Sequence, residues 1–227
     1  MTPKFMLLNV AACAALTVSA ATDASTPRQA PDPVANPSAV VRQGNARFTV
    51  LTPEMIRVEY SSSGKFEDKA TFAVVNRNLP VPEFQKKESA DSLFITTGKL
   101  RLAYKKGADL IENGQALNIT FEVAGKPERW FPGKKDTQNL KGTLRTLDTN
   151  NGDAFRNKLE DGVISRSGWA VIDDSWSNVR PDGSRSFAMK PNAEAGMDWV
   201  TDRADKDALD LYFLGYGHDY KRAIADF

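Results

Sequence analysis

The sequence predicts an all-β protein, in which two antiparallel sheets form a β-sandwich and a short helix follows at the C-terminal end. Three observations predict this fold. Apolar and polar residues alternate in many short segments, turn-forming residues separate those segments, and no helical pattern lies between them. About 180 residues follow a proline-rich stretch near the start, which is enough chain for one sizeable core.

The predicted strands are recognised by a period of two residues. Leu117–Val123 is the clearest, because its large apolar side chains share one face and its polar side chains occupy the other. Residues 56–60 and 100–104 alternate in the same way, and each is predicted to be a strand with one buried face. Further strands are predicted at residues 48–50, 71–75, 93–96, 168–172 and 209–216. Turn sequences separate them at residues 61–64, 106–107, 112–114, 150–152 and 181–183.

The last residues of the chain carry the pattern of a helix. Asp219 is predicted to be its N-cap, and Tyr220, Ala223, Ile224 and Phe227 form an apolar stripe at spacings of three and four. About nine residues do not sustain a helix alone in water. The stripe therefore needs a surface to lie on, and either the β-core or a following domain could supply it.

A signal peptide is predicted at residues 1–20. Lys4 supplies a positive charge, residues 5–18 are mostly apolar, and the small residues that end at Ala20 suit a signal peptidase. The protein is therefore predicted to be exported, to the periplasm or the medium. Because the apolar run is short, no transmembrane segment is predicted. Cys13 lies in a sequence similar to a lipoprotein cleavage box, so a lipid anchor on Cys13 is the alternative to cleavage near Ala20.

The remaining chain divides into three parts. Residues 21–39 are rich in Pro and Ala and are predicted to be a disordered linker, residues 40–217 to be the sandwich domain, and residues 218–227 to begin a helix that leads out of it. The whole chain carries 30 basic and 29 acidic residues. This balance does not favour nucleic acid or an anionic membrane surface as a partner, since both attract clustered positive charge. Neutral partners such as sugars fit it.

Few residues offer catalytic chemistry. His218 is the only histidine and the single cysteine falls in the predicted signal peptide, so no metal site and no cofactor are predicted. We assign His218 a structural role in the turn before the helix. Asp173 and Asp174 are adjacent carboxylates, but neighbours on a strand point to opposite faces and cannot act together on one bond. They are predicted to end their strand in a polar turn.

The tryptophans have two interpretations. Aromatic side chains in a β-sandwich most often pack in the core or at an interface. The alternative is a platform on which sugar rings stack, and Trp130 and Trp176 lie in the most loop-like settings for it. The four side chains are Trp130, Trp169, Trp176 and Trp199.

Three segments of the chain carry a family resemblance. They are residues 139–148 (NLKGTLRTLD), residues 165–175 (SRSGWAVIDDS) and residues 215–227 (GYGHDYKRAIADF). In this order they resemble the N-terminal β-domain of family 31 glycoside hydrolases, the α-glucosidase and α-xylosidase group. The resemblance implies a sandwich of the galactose-mutarotase-like type. It also implies an enzyme that hydrolyses α-glucosidic or α-xylosidic O-glycosyl bonds with retention of configuration.

The resemblance further implies where the chemistry takes place. In that family the nucleophile and the general acid lie on a barrel that follows the β-domain, and such a barrel needs about 250 residues. No residue of this chain is therefore predicted to be catalytic, and the chain is predicted to be inactive alone. The implied partners are an α-linked oligosaccharide and a downstream catalytic barrel of the same polypeptide. Mutarotase activity is not favoured, because those enzymes pair histidine with a carboxylate and this chain has one histidine.

In that family the β-domain also sends a loop toward the active site. Residues 147–153 are polar and turn-prone, so Asp148 and Asn150 are predicted to hydrogen-bond sugar hydroxyls there. A surface loop of the same composition, without a ligand, is the alternative. Lys141 stands where the family more often has glycine. For the whole chain, the alternative function is a free-standing exported sandwich that binds carbohydrate without catalysis.

Overall fold

The computed structural model describes residues 32–71, 73–141, 161–175 and 208–227, all within one unit of the chain. In this part of the chain, ten strands form two antiparallel sheets of five strands each. A single short helix follows the last of these strands. The architecture confirms the predicted all-β sandwich with a C-terminal helix.

The first and last described strands form one sheet, and the strands between them form the other. Sheet 1 contains β1 (Val40–Gln43), β2 (Ala46–Thr52), β3 (Met55–Tyr60), β9 (Ala170–Asp173) and β10 (Leu209–Leu214). Sheet 2 contains β4 (Phe84–Glu88), β5 (Ser92–Thr97), β6 (Arg101–Lys105), β7 (Leu117–Val123) and β8 (Lys126–Trp130). Sheet 2 is a simple meander, whereas sheet 1 has the order β1-β2-β3-β10-β9. Strand β10 therefore lies at the centre of sheet 1, where it pairs with β3 on one side and β9 on the other.

The hydrophobic core lies between the two sheets. Phe213 on β10 sits at its centre, with its ring centroid 5.3 Å from that of Phe121 and 4.9 Å from that of Trp130. On β7, Leu117 and Ile119 are fully buried while the residues between them are partly exposed, as the alternating sequence predicts. Apolar side chains from both sheets thus supply the main stabilising contacts of the domain.

The outer face of sheet 1 is also buried, and it carries ion pairs. Arg57 on β3 donates from Nε and Nη2 to the two carboxylate oxygens of Asp210 on β10, at 2.8 and 2.7 Å. Arg47 on β2 makes the same two-point contact with Glu59, at 2.6 and 2.8 Å. We call these four residues the charge network. Burial of an unpaired charge is unfavourable because the charge loses its hydration. In this network each buried charge is compensated by an opposite charge and by hydrogen bonds.

The charge network corrects one prediction. Residues 56–60 were expected to form a strand with one buried face, but every residue of β3 is buried. Glu67 lies over the polar face, since its O atom accepts hydrogen bonds from both Arg47 and Arg57. Alternation of charged and apolar residues indicates an exposed face only when no oppositely charged strand lies beside it.

A second correction concerns residues 71–75, which were predicted to form a strand. In the described part of this stretch they form a turn instead, with Thr71 N donating to Val74 O at 3.0 Å. The Thr71 hydroxyl donates to Asp174 Oδ2 at 2.6 Å, and nearby Arg77 Nε donates to the Tyr212 hydroxyl at 2.5 Å. Burial raises the pKa of Tyr212 well above its usual range, so this phenol stays neutral. The segment therefore serves as a cover over the outer face of sheet 1.

The helix α1 (Tyr220–Asp226) forms as predicted. The side chain of Asp219 caps it by accepting a hydrogen bond from Arg222 N at 3.2 Å. Ala223 is buried in a small apolar cluster on the outer face of sheet 1, whereas Ile224 and Phe227 are 59% and 45% exposed. In the part of the chain that is described, no helix is long and apolar enough to cross a membrane.

The described residues of the predicted linker contact the sandwich. Asp32 O accepts hydrogen bonds from Arg77 N at 2.8 Å and from Asn78 N at 3.2 Å. A short 3-10 turn at Pro37–Ala39 then leads directly into β1. These contacts attach residues 32–39 to the segment that covers sheet 1.

Candidate functional site

The described parts of the three segments that resemble the glycosidase family meet at one end of the sandwich. Asn139 and Ser165 pair in an isolated antiparallel bridge. Gly217 N donates to Gly168 O at 2.9 Å, and His218 Nε2 lies 3.0 Å from Arg166 O. Segments that are far apart in the sequence are therefore held together by direct hydrogen bonds. His218 contacts the backbone of the second segment from the turn before the helix, while its structural role stays a prediction.

Asn139 holds together the two ends of the segment in which the substrate loop was predicted. Its Oδ1 accepts hydrogen bonds from Lys141 N and Gly162 N, both at 2.8 Å, and its Nδ2 donates to Gly162 O at 3.0 Å. Lys141 Nζ and Asp161 also form an ion pair across the same two ends. We call Asn139, Lys141, Asp161 and Gly162 the loop base. It fixes where residues 142–160 leave the sandwich and where they return.

Lys141 has a backbone conformation that suits glycine. Its φ is +68°, in the left-handed region that side chains with a Cβ atom rarely adopt. The resemblance stated above implied glycine at this position, and glycine adopts such a φ without strain. In this chain the ion pair with Asp161 accompanies the less favourable backbone geometry.

A cleft of about 350 Å³ lies beside the loop base. Asp136 and Trp169 line it together with residues of the loop base. Burial raises the pKa of Asp136, but hydrogen bonds from Ser165, Gln138 N and Ser167 outweigh it and hold this pKa below its usual range. The carboxylate therefore stays ionised and can accept further hydrogen bonds at neutral pH.

The tryptophans that the structure describes do not offer an open stacking surface. Trp130 is a core residue, and Trp169 is 5% exposed. Lys134 Nζ lies 5.5 Å from the centre of the Trp169 ring, so a cation occupies the face that a sugar would need. The packing interpretation is therefore correct for Trp130 and Trp169, while Trp176 and Trp199 lie outside the described residues.

The predicted site residues fall into two groups. Asp148 and Asn150 lie outside the described residues, so their contact with sugar stays a prediction. Asp173 and Asp174 are described, and they point to opposite sides as expected. Asp173 is exposed and accepts a hydrogen bond from Ser175 N at 3.0 Å, whereas Asp174 is buried beside Arg77 and Thr71. Neither arrangement is that of a catalytic pair, and no group of metal ligands occurs among the residues that are described.

Gly168, within the second family-like segment, allows close packing against sheet 2. A Cβ atom there would lie 2.5 Å from Val123 Cγ2, and its φ of +77° is unfavourable for any other residue. We expect Gly168→Ala to lower the free energy of unfolding by at least about 1–3 kcal/mol, as measured by urea denaturation.

Gly98→Ala is the matched control for this substitution. Gly98 has no positive φ, and a Cβ atom there would meet nothing within 4 Å. We expect its effect to be neutral or stabilising by up to about 1 kcal/mol. Equal destabilisation by the two substitutions would contradict the role of Gly168 in packing.

No protein-family model and no curated protein matches the sequence. Among solved structures, the chain is similar to a family 31 α-xylosidase from Xanthomonas citri, with 16% identity, a TM-score of 0.34, and coverage of 62% of this chain and 19% of that chain. It is also similar to a family 31 dextranase from Flavobacterium johnsoniae complexed with glucose, with 16% identity, a TM-score of 0.33, and coverage of 80% and 26%. The chain thus spans only 19% and 26% of the length of these enzymes. Both are glycoside hydrolases of the family that the three sequence segments resemble.

Proposed function

We propose that this chain is the N-terminal domain of an exported retaining α-glycosidase, and that it shapes the substrate pocket of that enzyme. The reaction is hydrolysis of α-glucosidic or α-xylosidic O-glycosyl bonds. The observation that carries the proposal is the meeting of the three family-like segments at one end of the sandwich. Export is inferred from the predicted signal peptide at residues 1–20.

The loop base gives the domain its part in substrate recognition. Three hydrogen bonds from one buried amide side chain, that of Asn139, fix both ends of the segment that carries Asp148 and Asn150. In this proposal the carboxylate of Asp148 and the carboxamide of Asn150 accept and donate hydrogen bonds to sugar hydroxyls. Anchored ends matter because they restrict the conformations open to the segment between them, which lowers the entropy lost on binding.

The catalytic carboxylates are supplied, in this proposal, by a barrel that follows in the same polypeptide. The exposed side chains of Ile224 on α1 and of Phe227, which caps its C-terminal end, give that barrel an apolar surface to pack on, since exposed apolar patches favour a partner. The chain alone then binds and orients substrate but does not cleave it.

The first test is the mass of the native gene product, measured by immunoblot of the source cells with an antibody to this domain. We expect a band several times heavier than the 25.0 kDa of this chain. Cells from which the gene is deleted serve as the control for antibody specificity. A band at the mass of the chain itself would contradict the proposal and favour a free-standing carbohydrate-binding sandwich.

A second test measures the activity of the heavier product after a substitution in the loop base. We expect Asn139→Ala to lower kcat/KM for an aryl α-glucoside or α-xyloside by tenfold or more, because small displacements of positioning groups have large effects on rate. Glu112→Gln, an exposed substitution outside the loop base, should leave kcat/KM unchanged. Unchanged kcat/KM for Asn139→Ala would show that the loop base does not position substrate-binding groups.

A further inference from the structure

The outer face of sheet 2 carries a row of polar side chains that crosses all five strands. Residues directly opposite one another in an antiparallel pair point to the same face of the sheet. The register therefore places one residue of each strand in a single line, which runs from β4 to β8 through Gln85, Thr96, Arg101, Thr120 and Arg129. Because neighbouring strands lie about 4.8 Å apart, this line is about 19 Å long. We call these five residues the polar row.

The polar row is accessible from solvent. Gln85, Thr96, Arg101 and Arg129 are exposed, and Thr120 is half-buried. Within the part of the chain that is described, no carboxylate forms an ion pair with Arg101 or Arg129. At one end of the row a shallow cleft of about 470 Å³ lies beside Thr96 and Arg101. The guanidinium groups of this face are therefore free to bind an anion, in contrast to those in the charge network of sheet 1.

A phenyl ring supports each guanidinium group of the polar row. The Cζ atom of Arg101 lies 5.3 Å from the centre of the Phe94 ring, and that of Arg129 lies 6.0 Å from the centre of the Phe131 ring. A guanidinium group that stacks on an aromatic ring keeps its N–H donors free for a carboxylate. Because the ring also restricts the arginine side chain, less entropy is lost when the carboxylate binds.

The charges on this face are mostly positive. The strands of sheet 2 contribute to it four cationic side chains and one carboxylate, that of Glu122. Glu88 also lies beside the shallow cleft, but Lys86 and Lys106 pair with it at 2.8 and 2.6 Å. The near balance of charge in the whole chain therefore conceals one positive face. Its four cations are Lys87, Arg101, Lys105 and Arg129.

The other side chains of this face favour an acidic polysaccharide over other anionic partners. None of the large exposed apolar side chains among the described residues lies on a strand of sheet 2. Membrane-surface proteins and protein interfaces commonly use such side chains as anchors. Single-stranded nucleic acid needs open aromatic faces for its bases, whereas arginines lie over Phe94 and Phe131. The amide of Gln85 and the hydroxyls of Thr96 and Thr120 instead suit the hydroxyl groups of a sugar.

We propose that the polar row binds an extended polysaccharide that carries carboxylate groups, and that Arg101 and Arg129 each donate hydrogen bonds to one carboxylate. The two arginines lie on strands separated by one other strand, about 10 Å apart, so one ligand must carry repeated anions to reach both. The row holds the domain on an acidic polysaccharide that is distinct from the neutral α-linked substrate. The choice of a polysaccharide rests on the proposed function, whereas the exposure and charge of the row do not.

The test is isothermal titration calorimetry of the full chain with hexagalacturonate, a linear oligosaccharide with a carboxylate on every sugar. We expect it to bind at about 50 mM salt and to bind more weakly at about 200 mM, because salt screens contacts between exposed charges. The fully methyl-esterified form of the same oligosaccharide is the ligand control, since it keeps the sugar rings and lacks the charges. We expect the ester to bind at least tenfold more weakly.

Substitutions locate the binding on the polar row. We expect Arg101→Gln/Arg129→Gln to weaken the binding of hexagalacturonate by tenfold or more, because each arginine contributes charged hydrogen bonds. Lys126→Gln is the matched control. Lys126 is an exposed cation on β8, three residues from Arg129 and therefore on the other face of the strand. We expect it to change the affinity by no more than about twofold. Thermal unfolding of each variant confirms that it is folded.

Several outcomes would overturn the inference. They are the absence of binding at millimolar hexagalacturonate, equal binding of the ester, and equal effects of the double substitution and of Lys126→Gln. Tighter binding of phosphatidylglycerol vesicles or of DNA, lost in the same double variant, would show that the polar row serves a different polyanion. The immunoblot reports the length of the native polypeptide and the calorimetry reports this face, so failure of one proposal is distinguishable from failure of the other.

Discussion

Replacing Arg57 by leucine is expected to lower the free energy of unfolding by about 3–5 kcal/mol, the usual effect of removing one partner of a buried ion pair. The side chain of Arg57 is 1% exposed and that of Asp210 is fully buried. Although burial lowers the pKa of Arg57, the nearby acidic groups outweigh it and hold the pKa well above its usual range. The substitution takes two charged hydrogen bonds from Asp210, whose carboxylate then remains in a medium that solvates it poorly.

The measurement is urea denaturation of the unaltered chain and of three variants. Lys86→Met is the control, because the Lys86–Glu88 pair is exposed and a surface pair contributes about 0–1 kcal/mol. In Arg57→Leu/Asp210→Leu both charges are removed, so we expect it to be more stable than Arg57→Leu alone. A loss of less than 1 kcal/mol for Arg57→Leu would show that the charge network does not hold sheet 1 together.

Replacing Phe213 by alanine is expected to lower the free energy of unfolding by about 3–5 kcal/mol. Phe213 is fully buried at the centre of the core, in contact with the rings of Phe121 and Trp130. Its strand is also central in sheet 1, so neighbouring strands on both sides restrict any movement that would close the cavity. The free energy comes from urea denaturation, and loss of near-ultraviolet circular dichroism would report looser packing of Trp130.

Ile224→Ala is the control for this substitution, since Ile224 is also a large apolar residue but is mostly exposed. We expect it to change the free energy of unfolding by no more than about 0.5 kcal/mol. Similar losses for Phe213→Ala and Ile224→Ala would contradict the location of the core between the sheets.

The strands that could be predicted from the sequence are those with one apolar face. Strands β1, β4 and β8 were not predicted, and all three lie at the edges of their sheets. β4 (Phe84–Glu88) and β8 (Lys126–Trp130) consist mainly of exposed polar and charged residues, which protect an open edge from pairing with another chain. Such residues leave no period of two, so local pattern alone did not identify these strands.

The burial of charge in sheet 1 could not be predicted for a different reason. The partner of Arg57 is 153 residues away along the chain, and nothing local in the sequence of β3 indicates Asp210. The N-cap at Asp219, in contrast, was predicted because its hydrogen bond reaches only three residues ahead. Interactions between residues close in the sequence could thus be predicted. Ion pairs between residues that only the order of the strands brings together could not.

In the candidate site, too, local features could be predicted from the sequence and long-range contacts could not. The segments that meet could be predicted from the sequence, because each of them, residues 139–148 included, carries a family-like motif. The role of Asn139 was missed, because its partner Gly162 lies 23 residues away and has no side chain to mark it.

The loop base has a consequence for how such a domain can diversify. Asn139 and the Lys141–Asp161 ion pair hold the two ends of this loop together. The entropy of closing such a loop grows only with the logarithm of its length, and each doubling costs about 0.6 kcal/mol. Insertions and deletions between these anchors are therefore tolerated at little thermodynamic expense. Sequence and length can therefore change between the two anchors while the sandwich keeps its stability.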